Sequence, residues 1–221
     1  MLPGLDGSGE LFAPLADLLA EQYHIVVGRY PDLPGFDDYV EHAASLLPAE
    51  GPVCLLAESF SGPLAIELLA RHRPRIVAAV LSATFAVSPR PLLTRIAGWP
   101  VAARFTSPPL RRMAIDLFGL NGGDYPAART LARRATGHGD PAALRHRAAI
   151  LHRVDVSGLL PAIDIPVLCL RASRDRVVPA AHMAMLAQGL ANARLVDVDA
   201  PHLLLQCRPR ECAELIHGFL R

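Results

Sequence analysis

Apolar and polar positions alternate along this chain in two rhythms. Short, nearly unbroken apolar runs recur at Val53-Cys54-Leu55-Leu56-Ala57, Ile76 to Ala83, Ile165 to Ala172 and Ala193 to Val198. Each has the length and content of a buried strand. Helical spacing of apolar residues fills much of the remainder, over Glu10 to Gln22, Asp37 to Leu47, Leu64 to Ala70, Ala180 to Leu190 and Arg208 to Leu220. His24 to Tyr30 reads as one more strand, joined to the 37–47 helix by the turn-rich Pro31-Asp32-Leu33-Pro34-Gly35. Strands alternating with helices predict an α/β fold, a mostly parallel sheet with helices on both faces.

The alternation lapses between Pro89 and Pro161, where only helical patches occur: Leu92 to Arg104, Leu110 to Phe118, Ala127 to Ala135 and Pro141 to Arg153. The expectation is a single domain over 1–221 carrying a helical insert, 89–161, that serves as a lid over a pocket. Its mixed apolar and arginine content suits an apolar substrate entering from water.

Composition narrows the function. With 221 residues, 52% of them hydrophobic, the chain can bury a full core. A net charge of +1 and only scattered arginine pairs, Arg111-Arg112 and Arg133-Arg134, speak against nucleic acid as a partner. The apolar stretch Ile76 to Val87 is interrupted by Ser82 and Thr84 and is too short to span a bilayer. No leader is read at the start. The four cysteines form no metal pattern, so a reduced, cytoplasmic setting is expected.

The chemistry concentrates at Ala57-Glu58-Ser59-Phe60-Ser61-Gly62, between a strand and a helix. A serine at a tight strand-to-helix turn, with small residues two before and two after, meets the steric requirement of a nucleophile elbow. Ser61 fits less well, because it would put Pro63 at the small position and sits a step inside the helix. Helix capping is the plain alternative for Ser59. A serine nucleophile needs a base and a carboxylate to orient that base. The loops after two later strands supply them: Asp175 in Ser173-Arg174-Asp175-Arg176-Val177-Val178-Pro179, and His202 in Asp199-Ala200-Pro201-His202. The order Ser59, Asp175, His202 is the one expected when an elbow serine precedes both partners. The backbone N–H groups of Phe60 and of Leu5, in the loop Pro3-Gly4-Leu5-Asp6-Gly7-Ser8-Gly9, are the expected oxyanion donors. Asp6 is expected to hold its loop through an Asx-type turn, and Glu58 to be structural or modulating.

Together these motifs resemble the α/β-hydrolase superfamily over nearly the whole chain, with Ala57 and Ser61 where the family's best-known elbow, G-x-S-x-G, has glycines. The resemblance is to compact carboxylesterases and acyl-carrier-protein ester hydrolases. It implies hydrolysis of a carboxylic ester or thioester, a small-molecule substrate with an apolar acyl part, through an acyl-enzyme on Ser59, with no metal or organic cofactor. An acyltransferase using the same Ser59, Asp175 and His202, or a non-catalytic binder of apolar ligands, are the alternatives. The family's loop bearing Leu5 follows a central strand, for which only Met1 and Leu2 remain here. N-terminal strands are therefore expected to be missing or shortened.

Overall fold

The computed structural model describes residues 1–71, 75–89, 108–137 and 140–221. Four strands, β1 (Val53–Glu58), β2 (Ile76–Ser82), β3 (Val167–Ala172) and β4 (Ala193–Val198), form a parallel sheet in the order β1-β2-β3-β4. Helices α1 (Ala13–Leu19), α2 (Phe36–Ser45), α3 (Ser61–Arg71), α7 (Ala180–Gly189) and α8 (Pro209–Leu220) cover it. Three others, α4 (Pro108–Ala114), α5 (Pro126–Gly137) and α6 (Pro141–Ile150), lie in the excursion between β2 and β3.

Strand periodicity sorts the core into two layers. Leu55, Ala57, Ala79, Leu81, Val167 and Cys169 face one side and pack with residues of α2, α3 and α7. The intervening Leu56, Val80, Leu168 and Leu170 face the other, with Phe12, Leu15 and Leu19 and with Cys212 and Ile216 of α8. Successive side chains of a strand point to opposite faces, so near-continuous apolar runs are what a sheet covered on both sides demands. Each fully buried Leu or Ile is worth roughly 1.5–3 kcal/mol relative to exposure. Parallel strands also end together, which gathers the loops after β1, β2, β3 and β4 at one edge of the sheet.

Three elements differ from the sequence reading. The segment His24 to Tyr30 is not a strand. Isolated bonds tie its backbone down, from the Met1 ammonium to Val26 O (2.7 Å), from Gly28 N to Met1 O (2.8 Å), from Tyr30 N to Gly7 O (2.8 Å) and between His42 Nε2 and Arg29 O (2.8 Å). A strand needs a ladder, and these separate bonds do not make one. Leu2 does lie beside β1, through a single parallel bridge to Ala57 with bonds Leu2 N to Leu56 O (2.7 Å) and Glu58 N to Leu2 O (3.2 Å). The helix expected over Glu10 to Gln22 is a 3-10 turn, Glu10–Phe12, running into the shorter α1. The helix expected from Leu110 to Phe118 begins as α4 but widens into a π turn at Ile115–Gly119. The patch Leu92 to Arg104 lies outside the described residues.

Within the excursion, Asp140 caps α6 by accepting from Ala142 N at 2.8 Å, with Pro141 at the first helical position where no N–H is needed. Ser88 N to Val154 O and Val156 N to Ala86 O, both 2.9 Å, stitch the two stems of the excursion together. Ala132 and Ala135 of α5 set the helix close against Leu11. Arg129 and Arg133, also on α5, both grip Asp116 at 3.0 and 2.6 Å. Arg133, one of the scattered pairs, is thus part of the excursion's own framework.

Candidate active site

β1 ends at Glu58 and the chain reverses at Ser59, whose φ of 50° is left-handed. A non-glycine residue there is strained, by about 1–3 kcal/mol, and persists only where its surroundings hold it. They do so from three sides. Ser59 N continues the sheet ladder to Ser82 O (2.9 Å), and Ser59 O accepts from Gly62 N (3.1 Å) and from Thr84 Oγ1 (2.5 Å). Close packing explains the small residues nearby. Ala57 is fully buried, and a Cβ at Gly62 would fall 1.8 Å from Thr84 Oγ1.

Ser61, the competing serine, is fully buried. Its Oγ donates to Pro3 O (2.5 Å) and shares a hydrogen bond with Tyr30 OH (2.6 Å). It therefore ties the glycine-rich loop to the elbow and has no access to a substrate. Phe60 is buried in a cluster with Tyr30 and Tyr39, ring centroids 6.0 and 5.4 Å away in edge-to-face geometry. This fixes the residue that follows Ser59.

The structure brings Ser59, Asp175 and His202 together. His202, in the loop after β4, places Nε2 3.0 Å from Ser59 Oγ and Nδ1 2.7 Å from Asp175 Oδ2. Asp175 Oδ1 accepts from Val177 N (2.7 Å) and Val178 N (2.8 Å), so the carboxylate folds its own loop while aiming its second oxygen at the imidazole. Burial works against a charged His202. The charge of Asp175, its hydrogen bond and the more distant Glu58 outweigh this and raise the histidine above its ordinary pKa.

The loop Pro3 to Gly9 lies over the serine: a Cβ at Gly4 would sit 3.8 Å from Ser59 Cβ. Asp6 forms the expected Asx-type turn, its Oδ2 accepting from Ser8 N (2.9 Å) and from the Ser8 hydroxyl. Gly9 has a φ of 73°, and a Cβ there would meet Gly28 O at 2.6 Å, so only glycine fits. Among the described residues, neither Leu5 N nor Phe60 N donates to a protein acceptor.

Four groups near the site were not singled out in the sequence. Thr84 holds the elbow, and Tyr30 holds Ser61. Gln206, buried, donates weakly to Glu58 Oε2 (3.4 Å). Arg147 of α6 reaches back to the glycine-rich loop. Thr84, a small polar residue directly after a buried strand, carried the only local signal; the others act across more than 30 positions of sequence. Glu58 itself is wholly buried. Desolvation, with Asp6 nearby, pushes its pKa up to about 7 against the opposing effects of His202 and Gln206. Among the described residues, no group of three or more His, Cys, Asp or Glu side chains could hold a metal ion, and no helix is long and apolar enough to cross a membrane. All four cysteines are free thiols.

Known proteins resemble this chain over most of their length. A pimeloyl-[acyl-carrier protein] methyl ester esterase of Xanthomonas campestris pv. campestris is 27% identical over 246 residues, covering 100% of this chain and 93% of the relative. One from Xanthomonas oryzae pv. oryzae is 30% identical over 223 residues, covering 90% of this chain and 84% of the relative. The crystal structure of the enol-lactonase from Burkholderia xenovorans LB400 superposes with a TM-score of 0.76 at 21% identity, covering 98% of this chain and 88% of the other. That likeness is one of fold. The family model described as alpha/beta hydrolase family matches residues 1–215. The chain belongs to the alpha/beta hydrolase family.

Proposed function

We propose that the protein hydrolyses a carboxylic ester or thioester through an acyl-enzyme on Ser59. The observation that carries this reading is the hydrogen-bonded line Ser59 Oγ, His202, Asp175, at 3.0 and 2.7 Å. Ser59 Oγ attacks the substrate carbonyl as His202 Nε2 takes its proton. Asp175 keeps the Nδ1 proton in place and supports the imidazolium. The developing oxyanion is met by the N–H groups of Leu5 and Phe60. His202 then gives its proton to the leaving alkoxide or thiolate, the acyl group stays on Ser59, and water deprotonated by His202 releases the acid. The substrate has an apolar acyl part, and the named activity of the curated relatives supports a methyl ester of a carrier-bound acyl chain. The helices of the 89–161 excursion serve as its lid. Support comes from Leu203 N, next to His202, which donates to Gly119 O at 3.1 Å.

A fluorescent fluorophosphonate with peptide mapping tests this reading. Wild type labels at Ser59, and both Ser59→Ala and His202→Ala stay dark. On p-nitrophenyl esters Ser59→Ala loses roughly 10⁴-fold or more in kcat. A folded wild-type protein that never labels would replace hydrolysis by non-catalytic binding of an apolar ligand.

A further inference from the structure

The backbone carbonyls of the glycine-rich loop are held one after another. Pro3 O accepts from Ser61 Oγ, and Gly4 O accepts from Gly7 N at 3.1 Å. The next two, Leu5 O and Asp6 O, accept from a single side chain: Arg147 donates Nε to Leu5 O at 2.8 Å and Nη2 to Asp6 O at 3.0 Å. That guanidinium comes from α6, some 140 positions away in the chain, and is only 3% exposed. It is stacked against Gly7, where a Cβ would approach Cζ to 3.0 Å. Burying a cation is costly unless it is fully used. Among the described residues Arg147 has no carboxylate partner within ion-pair distance, so its two charge-assisted bonds to the loop are what hold it there.

We propose that Arg147 is a positioning residue that holds the Leu5 N–H in the oxyanion hole, coupling the helical excursion to the reaction centre through one side chain. Fixing the Leu5 and Asp6 carbonyls fixes the backbone rotation just beyond the Leu5 N–H, while Gly7 and Ser61 fix it just before. Without the guanidinium the loop keeps its ties at Pro3 O, Gly4 O and Gly7 O and loses the two just beyond the Leu5 N–H, and with them the aim at the oxyanion. Arg147 is carried by α6, so the hole is complete only with that helix docked. This inference rests on the acyl-enzyme reading above.

The experiment compares Arg147→Ala and Arg147→Gln with wild type in three assays: hydrolysis of p-nitrophenyl butyrate, inhibition by an alkyl trifluoromethyl ketone, and fluorophosphonate labelling of Ser59. A misplaced donor lowers kcat by about 10- to 100-fold, with KM within a few-fold of wild type. The trifluoromethyl ketone, whose adduct carries an oxyanion, weakens in parallel with kcat/KM. Low concentrations of guanidinium ion restore part of the rate in Arg147→Ala. Should that variant fail to fold, Arg147→Gln, which keeps one donor for one carbonyl, shows a smaller fall with the same pattern. A folded variant of either kind with unchanged kcat, or with a raised KM alone, overturns the proposal and leaves the acyl-enzyme reading standing. A wild-type protein that does not label overturns both.

Discussion

Glu58 is the most informative single position outside the Ser59–His202–Asp175 line, and Glu58→Gln is the perturbation to make. The carboxyl is fully buried and its pKa rises from 4.5 to about 7 on folding. At 1.36 kcal/mol per unit, the ionised form costs the folded state roughly 3 kcal/mol. Because the folded pKa is the higher one, the penalty is absent below the unfolded value near 4.5. It grows as pH rises and is complete above pH 7. Gln fills the same volume without the charge. Gln206 Nε2, which donates to Glu58 Oε2 at 3.4 Å, keeps an acceptor in the Gln amide oxygen. Calorimetry or thermal fluorescence should therefore give equal Tm values for variant and wild type near pH 4.5. At pH 8 the variant should melt higher, by roughly 6–12 °C at the 2–4 °C per kcal/mol typical of this size. The pH–rate profile gives a second reading. Activity needs neutral His202, and the charge on Glu58 favours the imidazolium. Removing it moves the acid limb of kcat/KM to lower pH. A Tm difference that does not vary with pH, or an acid limb that stays or moves up, would refute the reasoning.

Asp175→Asn can still accept from Val177 N and Val178 N, but it presents N–H to His202 Nδ1 and forces the wrong tautomer. Its kcat should fall by roughly 10⁴-fold with little change in Tm, and a loss below tenfold would remove Asp175 from the proposed line. Ser61→Ala strands Pro3 O and Tyr30 OH in the core and should cost about 1–3 kcal/mol in urea unfolding. Any fluorophosphonate adduct of this variant should still map to Ser59; an adduct mapped to Ser61 in the wild type would count against Ser59 as nucleophile. Gly62→Ala drives a methyl into Thr84 and disturbs the bond to Ser59 O, costing about 1–3 kcal/mol and lowering kcat. A neutral Gly62→Ala would show that the elbow yields.

The sheet and the placing of the candidate site were legible because they rest on local rules. The run Val53 to Ala57 followed by a small-residue turn located Ser59, and the ends of two other apolar runs located Asp175 and His202. What was hidden depends on contacts that no local pattern carries. His24 to Tyr30 has strand composition, yet whether it pairs depends on the chain beside it, which its own sequence does not specify. Arg147 looks like any arginine of an exposed helix face until α6 is docked on the Leu5 carbonyl. Ser61 reads as a spare nucleophile, and only the positions of Pro3 and Tyr30 show it to be a tie.

The candidate groups Ser59, Asp175 and His202 leave the sheet from the same ends of its strands, and this divides the molecule for anyone wishing to attach it to something. The loops that enter β1, β3 and β4 lie at the far end, away from Ser59, Asp175 and His202. Gly51, just before β1, is exposed with a φ of 80°, and no heavy atom lies within 4 Å of the place a side chain would begin. A linker, an affinity handle or a whole carrier domain grafted there hangs from the opposite pole and leaves the end bearing Ser59, Asp175 and His202 uncovered.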